Sequence, residues 1–256
     1  MKILAMFKFS IKLVFFFLIS FNLQSQENEN PKSSDSLEFE EKYGLRFGID
    51  LNKFGRTFFD SNYSGLEMNA DYRLKKRIYL AGEIGFEDKL STTDFLISSS
   101  AGSYFKTGID LNLYKNLLGM ENLIFSGLRA GVSSFNQKRH QYIIYDTNNQ
   151  TWGQIQNNEM VEFSGLSATW VELLFGVKTE LFNNLFLSYN VQLKLRLTDV
   201  SPRNFDNIHI PGFGRTYDGS KIGTGFSYTI SYLVPVYKKK IKKDSKSKDE
   251  INEISN

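Results

Sequence analysis

The sequence predicts an all-β chain whose eight strands close into an antiparallel up-and-down transmembrane β-barrel, and three observations carry that expectation. Apolar and polar residues alternate with a period of two over eight separate segments, as strands with two different faces require. The links between those segments are alternately short and long. Glycines and charges of both signs share the polar face.

The clearest segment is LFLSYNVQLKLRL, Leu185 to Leu197, with Leu185, Leu187, Tyr189, Val191, Leu193, Leu195 and Leu197 on one face and Ser188, Asn190, Gln192, Lys194 and Arg196 on the other. A soluble strand averages about five or six residues, whereas a strand crossing a bilayer obliquely needs about nine to eleven. The other segments repeat the pattern. Leu45, Phe47, Ile49 and Leu51 oppose Arg46 and Asp50; Leu66, Met68, Ala70, Tyr72 and Leu74 oppose Glu67, Asp71 and Arg73; Leu80, Ile84 and Phe86 oppose Tyr79, Glu83 and Glu87. Ile109, Leu111 and Leu113 oppose Lys106 and Asp110, while Leu128, Ala130 and Val132 oppose Arg129. Val171, Leu173, Phe175 and Val177 oppose Glu172, Lys178 and Glu180, and in the last strand Phe226, Tyr228, Ile230 and Tyr232 oppose Gly225, Ser227, Thr229 and Ser231.

The linkers give the orientation. KKR, YKNLLGMEN and FNN follow the second, fourth and sixth strands, whereas longer stretches follow the first, third, fifth and seventh, the longest from about Asn136 to Ala168. Tight turns on the periplasmic side and long loops outside are characteristic of outer-membrane barrels. An even strand count then leaves both termini periplasmic.

Alternation alone does not separate a membrane barrel from a soluble one. The glycines argue for the membrane: Gly44, Gly48, Gly85, Gly108, Gly127, Gly131, Gly176 and Gly225 fall on the charged face. A narrow lumen needs small residues to make room for long ones, whereas a solvated strand face is only weakened by them. The expected lumen network is Arg46, Asp50, Glu67, Asp71, Arg73, Glu83, Glu87, Lys106, Asp110, Arg129, Glu172, Lys178, Glu180, Lys194 and Arg196, whose signs nearly cancel as buried ions require.

The ends organise the rest. Residues 1–25 read as a secretory signal peptide, with Lys2, Lys8 and Lys12 before an apolar run from Leu13 to Phe21. Residues 26–42 read as a flexible periplasmic leader, 43–237 as the barrel, and 238–256 as a basic, disordered periplasmic tail, because blocks of like charge repel themselves. The chain has no Cys, which excludes thiol catalysis, Cys-ligated zinc and lipid attachment at an N-terminal Cys. A net charge of +3 in 256 residues gives no argument for nucleic acid.

With its signal peptide and its eight alternating segments from Tyr43 to Val236, the chain resembles the small eight-stranded outer-membrane barrels of the OmpA and OmpX type, and more closely a family of outer-membrane β-barrels of unknown function. The resemblance implies a monomer in the bacterial outer membrane, in contact with lipid and with the insertion machinery that reads the last strand. Here FSYTISYLVPVY is followed by KKKIKKDSKSKDEINEISN, a departure from barrels that end on the aromatic residue closing that strand.

No catalytic, cofactor-binding or metal-binding residues are expected, and no cofactor. His140 and His209, with Asp146, Asp206, Ser134 and Ser201 nearby in sequence, are the only material for a rim triad, and their spacing matches no local signature. An eight-stranded lumen is filled by side chains. The reading is therefore a structural or surface-interaction protein acting through long extracellular loops, with a narrow selective channel or a rim enzyme as alternatives. In the longest loop, QYIIYDTNNQTWGQIQ reads as a hairpin or as a prolongation of the barrel strands, with Tyr142, Tyr145 and Trp152 as aromatic anchors for an extracellular ligand.

Overall fold

The segments with period-two alternation are strands in the computed structural model, which describes residues 38–114, 121–144, 147, 154–202, 206–217 and 219–242. In chain order they are β1 (Glu38–Asp50), β2 (Tyr63–Lys75), β3 (Ile78–Thr92), β4 (Leu96–Asn112), β5 (Leu123–Ile144), a short β6 (Ile155–Asn157), β7 (Val161–Phe182), β8 (Leu185–Asp199), the two-residue strands β9 (His209–Ile210) and β10 (Gly214–Arg215), and β11 (Ile222–Lys242). One helix, α1 (Leu51–Phe59), lies between β1 and β2.

Each long strand pairs antiparallel with its neighbour in sequence, β4 pairs with β5, and β1 closes the ring against β11. Eight strands therefore form the expected all-β antiparallel up-and-down barrel. Small β6 hangs on the upper end of β5, pairing Ile155–Asn157 with Tyr142–Ile144. At one end the turns are tight: Lys76 and Arg77 join β2 to β3, and Asn183 and Asn184 join β7 to β8, with Asn184 at φ 67° as such a turn demands.

Several boundaries differ from the sequence reading. The expected long third loop is mostly strand, since β3 runs on to Thr92 and β4 begins at Leu96, leaving 93–95 as the link. The Ser-rich stretch Ser98–Ser103 lacks amphipathic alternation, yet the backbone ladder needs none. Likewise β5 and β7 prolong each other up to Arg139 opposite Val161, so much of the expected longest loop is wall. At the other end β1 starts at Glu38 and β11 continues to Lys242, beyond the expected limits of 43 and 237. The register sets Glu38 to Lys42 opposite Lys242 to Lys238, so the first five residues of the expected tail are strand. The signal segment 1–25 and most of the leader and tail lie outside the described residues.

Strand β1 also ends earlier than expected, because Asp50 caps a helix. Its carboxylate accepts from the N–H groups of Asn52 at 2.7 Å and Lys53 at 3.3 Å. Leu51, read as part of the first strand's apolar face, is instead the first residue of α1.

The ring has opposite faces of opposite polarity. Outward residues are large, apolar and exposed, among them Leu128 at 61% and Phe226 at 52%. Inward residues are charged, small or aromatic and buried. Gly131 lies directly beneath the Trp170 indole and Gly85 beneath Tyr104, where a Cβ would collide with the ring. Tyr104, Phe135, Leu166, Ala168, Trp170, Ile210 and Phe213 form the main apolar cluster inside the barrel.

Candidate functional site

The interior is filled in layers of ion pairs. Toward the tight-turn end, Asp71 bridges Arg46 at 2.7 Å and Lys178 at 2.5 Å, and the Arg46 guanidinium stacks on the rings of Tyr79 and Phe186. Arg73 lies 3.5 Å from Glu121 below it. At mid-height Arg129 grips Asp110 with two hydrogen bonds of 2.7 and 2.9 Å, the bidentate geometry that suits a guanidinium. Lys106, 1% exposed, is surrounded by Glu83 at 2.5 Å, Glu67 at 3.3 Å and Glu172 at 3.7 Å. Glu172 in turn accepts from the Trp170 indole at 2.6 Å and lies 3.5 Å from Lys194.

Of the residues expected in the lumen, Arg46, Asp50, Glu67, Asp71, Arg73, Glu83, Glu87, Lys106, Asp110, Arg129, Glu172, Lys178 and Lys194 are buried. Glu180 and Arg196 are half-buried at the two ends: Glu180 meets Lys42 at 3.5 Å, and Arg196 meets Asp199 at 3.3 Å. Several ladder pairs place opposite signs side by side, as with Arg46 opposite Asp71, Glu83 opposite Lys106, Arg129 opposite Glu172 and Glu172 opposite Lys194.

The mouth is closed by two elements that alternation could not reveal. From α1, Lys53 reaches inward to Glu67 at 2.7 Å and Glu87 at 2.8 Å, and touches the Tyr104 hydroxyl. From the other side the β9–β10 hairpin folds into the barrel, burying Ile210, Pro211 and Phe213. It is fastened by polar contacts: His209 Nε2 lies 3.1 Å from Glu87, the Gly212 N–H donates to the same carboxylate, and Lys194 donates to the Gly212 carbonyl at 2.7 Å. Gln137 anchors the approach to the hairpin by donating to the Asp206 carbonyl and accepting from the Ile208 N–H. The apolar HIPGF run was the available sequence signal for an inward loop, and the spacing of Leu51, Phe54 and Phe58 for a helix.

The two histidines sit apart in different surroundings. His140 on β5 meets Ser99 Oγ at 2.9 Å, whereas His209 meets Glu87. Ser134 is exposed on the outward face, Ser201 donates to Asp199 at 3.1 Å, and Asp206 contributes its carbonyl to Gln137, so among the described residues no triad is assembled. Asp146 lies outside the described residues. No cluster of His, Asp and Glu with metal-ligand geometry occurs among those described. Of the loop aromatics, Tyr142 is half-buried, accepts from Asn157 at 3.1 Å and carries Arg139 over its ring; Tyr145 and Trp152 lie outside the described residues.

This arrangement defines a closed eight-stranded antiparallel barrel with an ion-paired, side-chain-filled interior and a folded-in plug. The chain belongs to the DUF6048 family, described as a domain of unknown function, whose family model matches residues 6–239. No curated protein matches the sequence.

Proposed function

We propose that this chain is an outer-membrane β-barrel whose filled lumen makes it a rigid support for the structures at its long-loop end, acting as a structural or surface-interaction protein. The carrying observation is the inverted polarity of the wall: Lys106 and Glu172 are inside at 1% and 0% exposure, while Leu128, Phe175, Leu193 and Phe226 are outside and exposed. In water a girdle of that kind is an aggregation surface far beyond the apolar patches that soluble monomers tolerate. In lipid it is the expected surface, and the ring is closed by the β1–β11 ladder from Glu38 opposite Lys242 to Asp50 opposite Thr229.

The height of the girdle supports the same reading. Along β5 the outward apolar positions run from Ile124 to Val132 and give way to Ser134, Asn136 and Lys138. At about 3.4 Å per residue that is roughly 27 Å along a strand, or about 19–22 Å of height for strands tilted by about 35–45°, close to the apolar band of about 25 Å on outer-membrane barrels. Both ends of the ring's chain, Glu38 and Lys242, are paired with each other and so lie on one side, which in this reading is the periplasm.

The ion-paired interior and the Ile210–Phe213 plug argue against passive diffusion through the lumen. The test is fractionation followed by planar-bilayer recording. The protein is expected in the outer-membrane fraction with no stable conductance. Recovery of folded protein from soluble periplasm without detergent overturns the placement, and steady solute-selective current overturns the filled lumen.

A further inference from the structure

Strand β1 stops short of its neighbours. Its last pairs join Asp50 to Thr229 on β11 and Ile49 to Met68 on β2, while β11 continues to Ile222 and β2 to Tyr63. Above that level α1 takes the place of a strand in the wall. It climbs beside β2, where Thr57 Oγ1 accepts from the Gly65 N–H at 2.9 Å and donates to the Gly65 carbonyl at 3.0 Å. The chain then turns back into β2, with the Tyr63 N–H donating to the Asp60 carbonyl at 3.0 Å. A helix meets its backbone bonds internally, so it can stand against lipid where a lone strand could not.

Helical spacing divides α1 into two faces. Lys53 points into the mouth toward Glu67 and Glu87, and Thr57 is turned to β2. Leu51, Phe54 and Phe58 share the other side and are exposed, Phe58 at 63%. The rings of Phe54 and Phe58 meet edge to face with centroids 5.0 Å apart, and Phe59 beside them is 92% exposed.

The flanking strands fix the height of this face. On β11 the outward residues Val236, Val234, Tyr232, Tyr228 and Phe226 are apolar and exposed, and Thr224 interrupts the run. From Val236 to Phe226, at about 3.4 Å per residue, the run is roughly 34 Å along the strand, or about 24–28 Å of height at a tilt of about 35–45°. That is the whole apolar band of an outer-membrane barrel. On β2 the outward apolar run ends at Leu66, and above it Ser64 stands opposite the exposed Asp88 of β3. Leu51, next after the last rung of β1, therefore joins the top of the girdle. Phe54 and Phe58 lie about 4.5 and 10.5 Å further along the helix axis, at about 1.5 Å per residue. There the neighbouring strands present Ser64, Asp88 and Thr224.

An apolar face that continues the girdle at its foot and has polar neighbours above it matches the boundary between acyl chains and headgroups, where amphipathic helices bury their apolar side by about 5–10 Å. We propose that α1 is a membrane-seated part of the wall: Leu51, Phe54 and Phe58 enter the leaflet at the long-loop end and contact lipid acyl chains, while Lys53 pins the opposite side inside the mouth. This rests on the membrane placement proposed above. Continuity with the girdle selects lipid over a protein partner as the occupant of this face.

The chain contains no Cys, so one nitroxide label can be attached at a chosen position. Its collisions with oxygen, which concentrates in hydrocarbon, are compared with its collisions with a water-soluble nickel chelate. The full-length protein is labelled at Phe58→Cys, at Leu193→Cys on the girdle and at Glu159→Cys on the link before β7, and each variant is inserted into phosphatidylcholine vesicles. All three residues are exposed, so the fold should survive, and circular dichroism checks that it does. Phe54→Cys, read in the same way, replaces Phe58→Cys if that variant fails to fold. Oxygen is expected to dominate on α1 and at Leu193, and the chelate at Glu159. Chelate dominance on α1 with oxygen dominance at Leu193 sinks the lipid seat and leaves the membrane placement standing. Chelate dominance at Leu193 as well sinks the placement beneath it. An α1 label shielded from both reagents is covered by protein, a second copy of the chain in these vesicles, and overturns lipid as the occupant.

Discussion

The Lys53 ammonium on α1 lies 2.8 Å from the Glu87 carboxylate on β3, and Glu87 simultaneously holds the β9–β10 hairpin through His209 and the Gly212 N–H. One carboxylate thus fastens both covers of the barrel mouth. Removing its charge while keeping its shape should loosen them together. Glu87→Gln leaves Lys53 with Glu67 as its remaining ionic partner and weakens the charge-assisted bond to Gly212, a loss of about 1–3 kcal/mol. Hydrogen exchange should then accelerate at Gly212 and along α1 with little change at mid-barrel. Unchanged protection of the Gly212 amide would show that the hairpin is held by Ile210 and Phe213 alone.

At mid-height, Lys106 holds the balance of three carboxylates, Glu67, Glu83 and Glu172. A buried ion pair adds little over an apolar replacement of both partners, yet breaking one side strands the other charge. Lys106→Met should therefore destabilise the barrel by about 3–5 kcal/mol. Lowering the pH should partly rescue the variant, since protonation removes the stranded charges. Urea unfolding in lipid vesicles, run with Lys106→Met, with Glu83→Gln and with the Lys106→Met/Glu83→Gln double variant, measures both effects. Additivity of the two substitutions would mean that the pair is not coupled.

The barrel itself was legible because its strands have one apolar and one polar face, so that Leu193 and Lys194 announce opposite environments from their positions alone. Legibility ended where that contrast ended. Ser98, Ser99 and Ser100 belong to a strand whose two faces are both polar above the girdle, and they read as loop. Lys53 escaped because it approaches the lumen from a helix, with a period of 3.6 in place of two. The stretch from Lys238 to Lys242 read as tail because the strand it pairs with, Glu38 to Lys42, stands at the other end of the chain, a register no local pattern records.

The outer face offers a direct test of its solvent. Leu193 is exposed on β8 within the apolar girdle, whereas Ser134 is exposed and faces outward on β5 above it. If the girdle contacts hydrocarbon, Leu193→Arg costs about 2–4 kcal/mol near the midplane, and Ser134→Arg costs about 0–1 kcal/mol nearer the interface. Reversible unfolding in vesicles compares the two. Equal, negligible costs would require a watery surroundings for the girdle and would remove the main support for an outer-membrane location.

The rim gives a prediction in pH. Asp60, just after α1, accepts from Lys89 Nζ at 3.0 Å, from the Asn62 N–H at 3.0 Å and from Arg56 at 3.0 and 3.1 Å. Lys89, followed by Asn62 and Arg56, pulls its carboxyl down to about 2 from the ordinary 3.8. A carboxyl that is more acidic in the folded state holds fewer protons there than in the unfolded chain, so its stabilising effect is complete above the unfolded value of about 3.9 and fades as the pH falls toward 2. The effect is modest because the group faces solvent. Asp60→Asn lacks it at every pH. Thermal midpoints of the two proteins should therefore be separated at pH 6 and converge as the pH is lowered through 4 toward 2, the carboxylates of the lumen titrating alike in both. The convergence should coincide with loss of amide protection over Arg56–Phe59 in the unsubstituted protein, because Asp60 joins the end of α1 to Lys89 on β3. A gap that stays constant from pH 6 to 2 would place the contribution of Asp60 in its shape and hydrogen bonds and not in its charge.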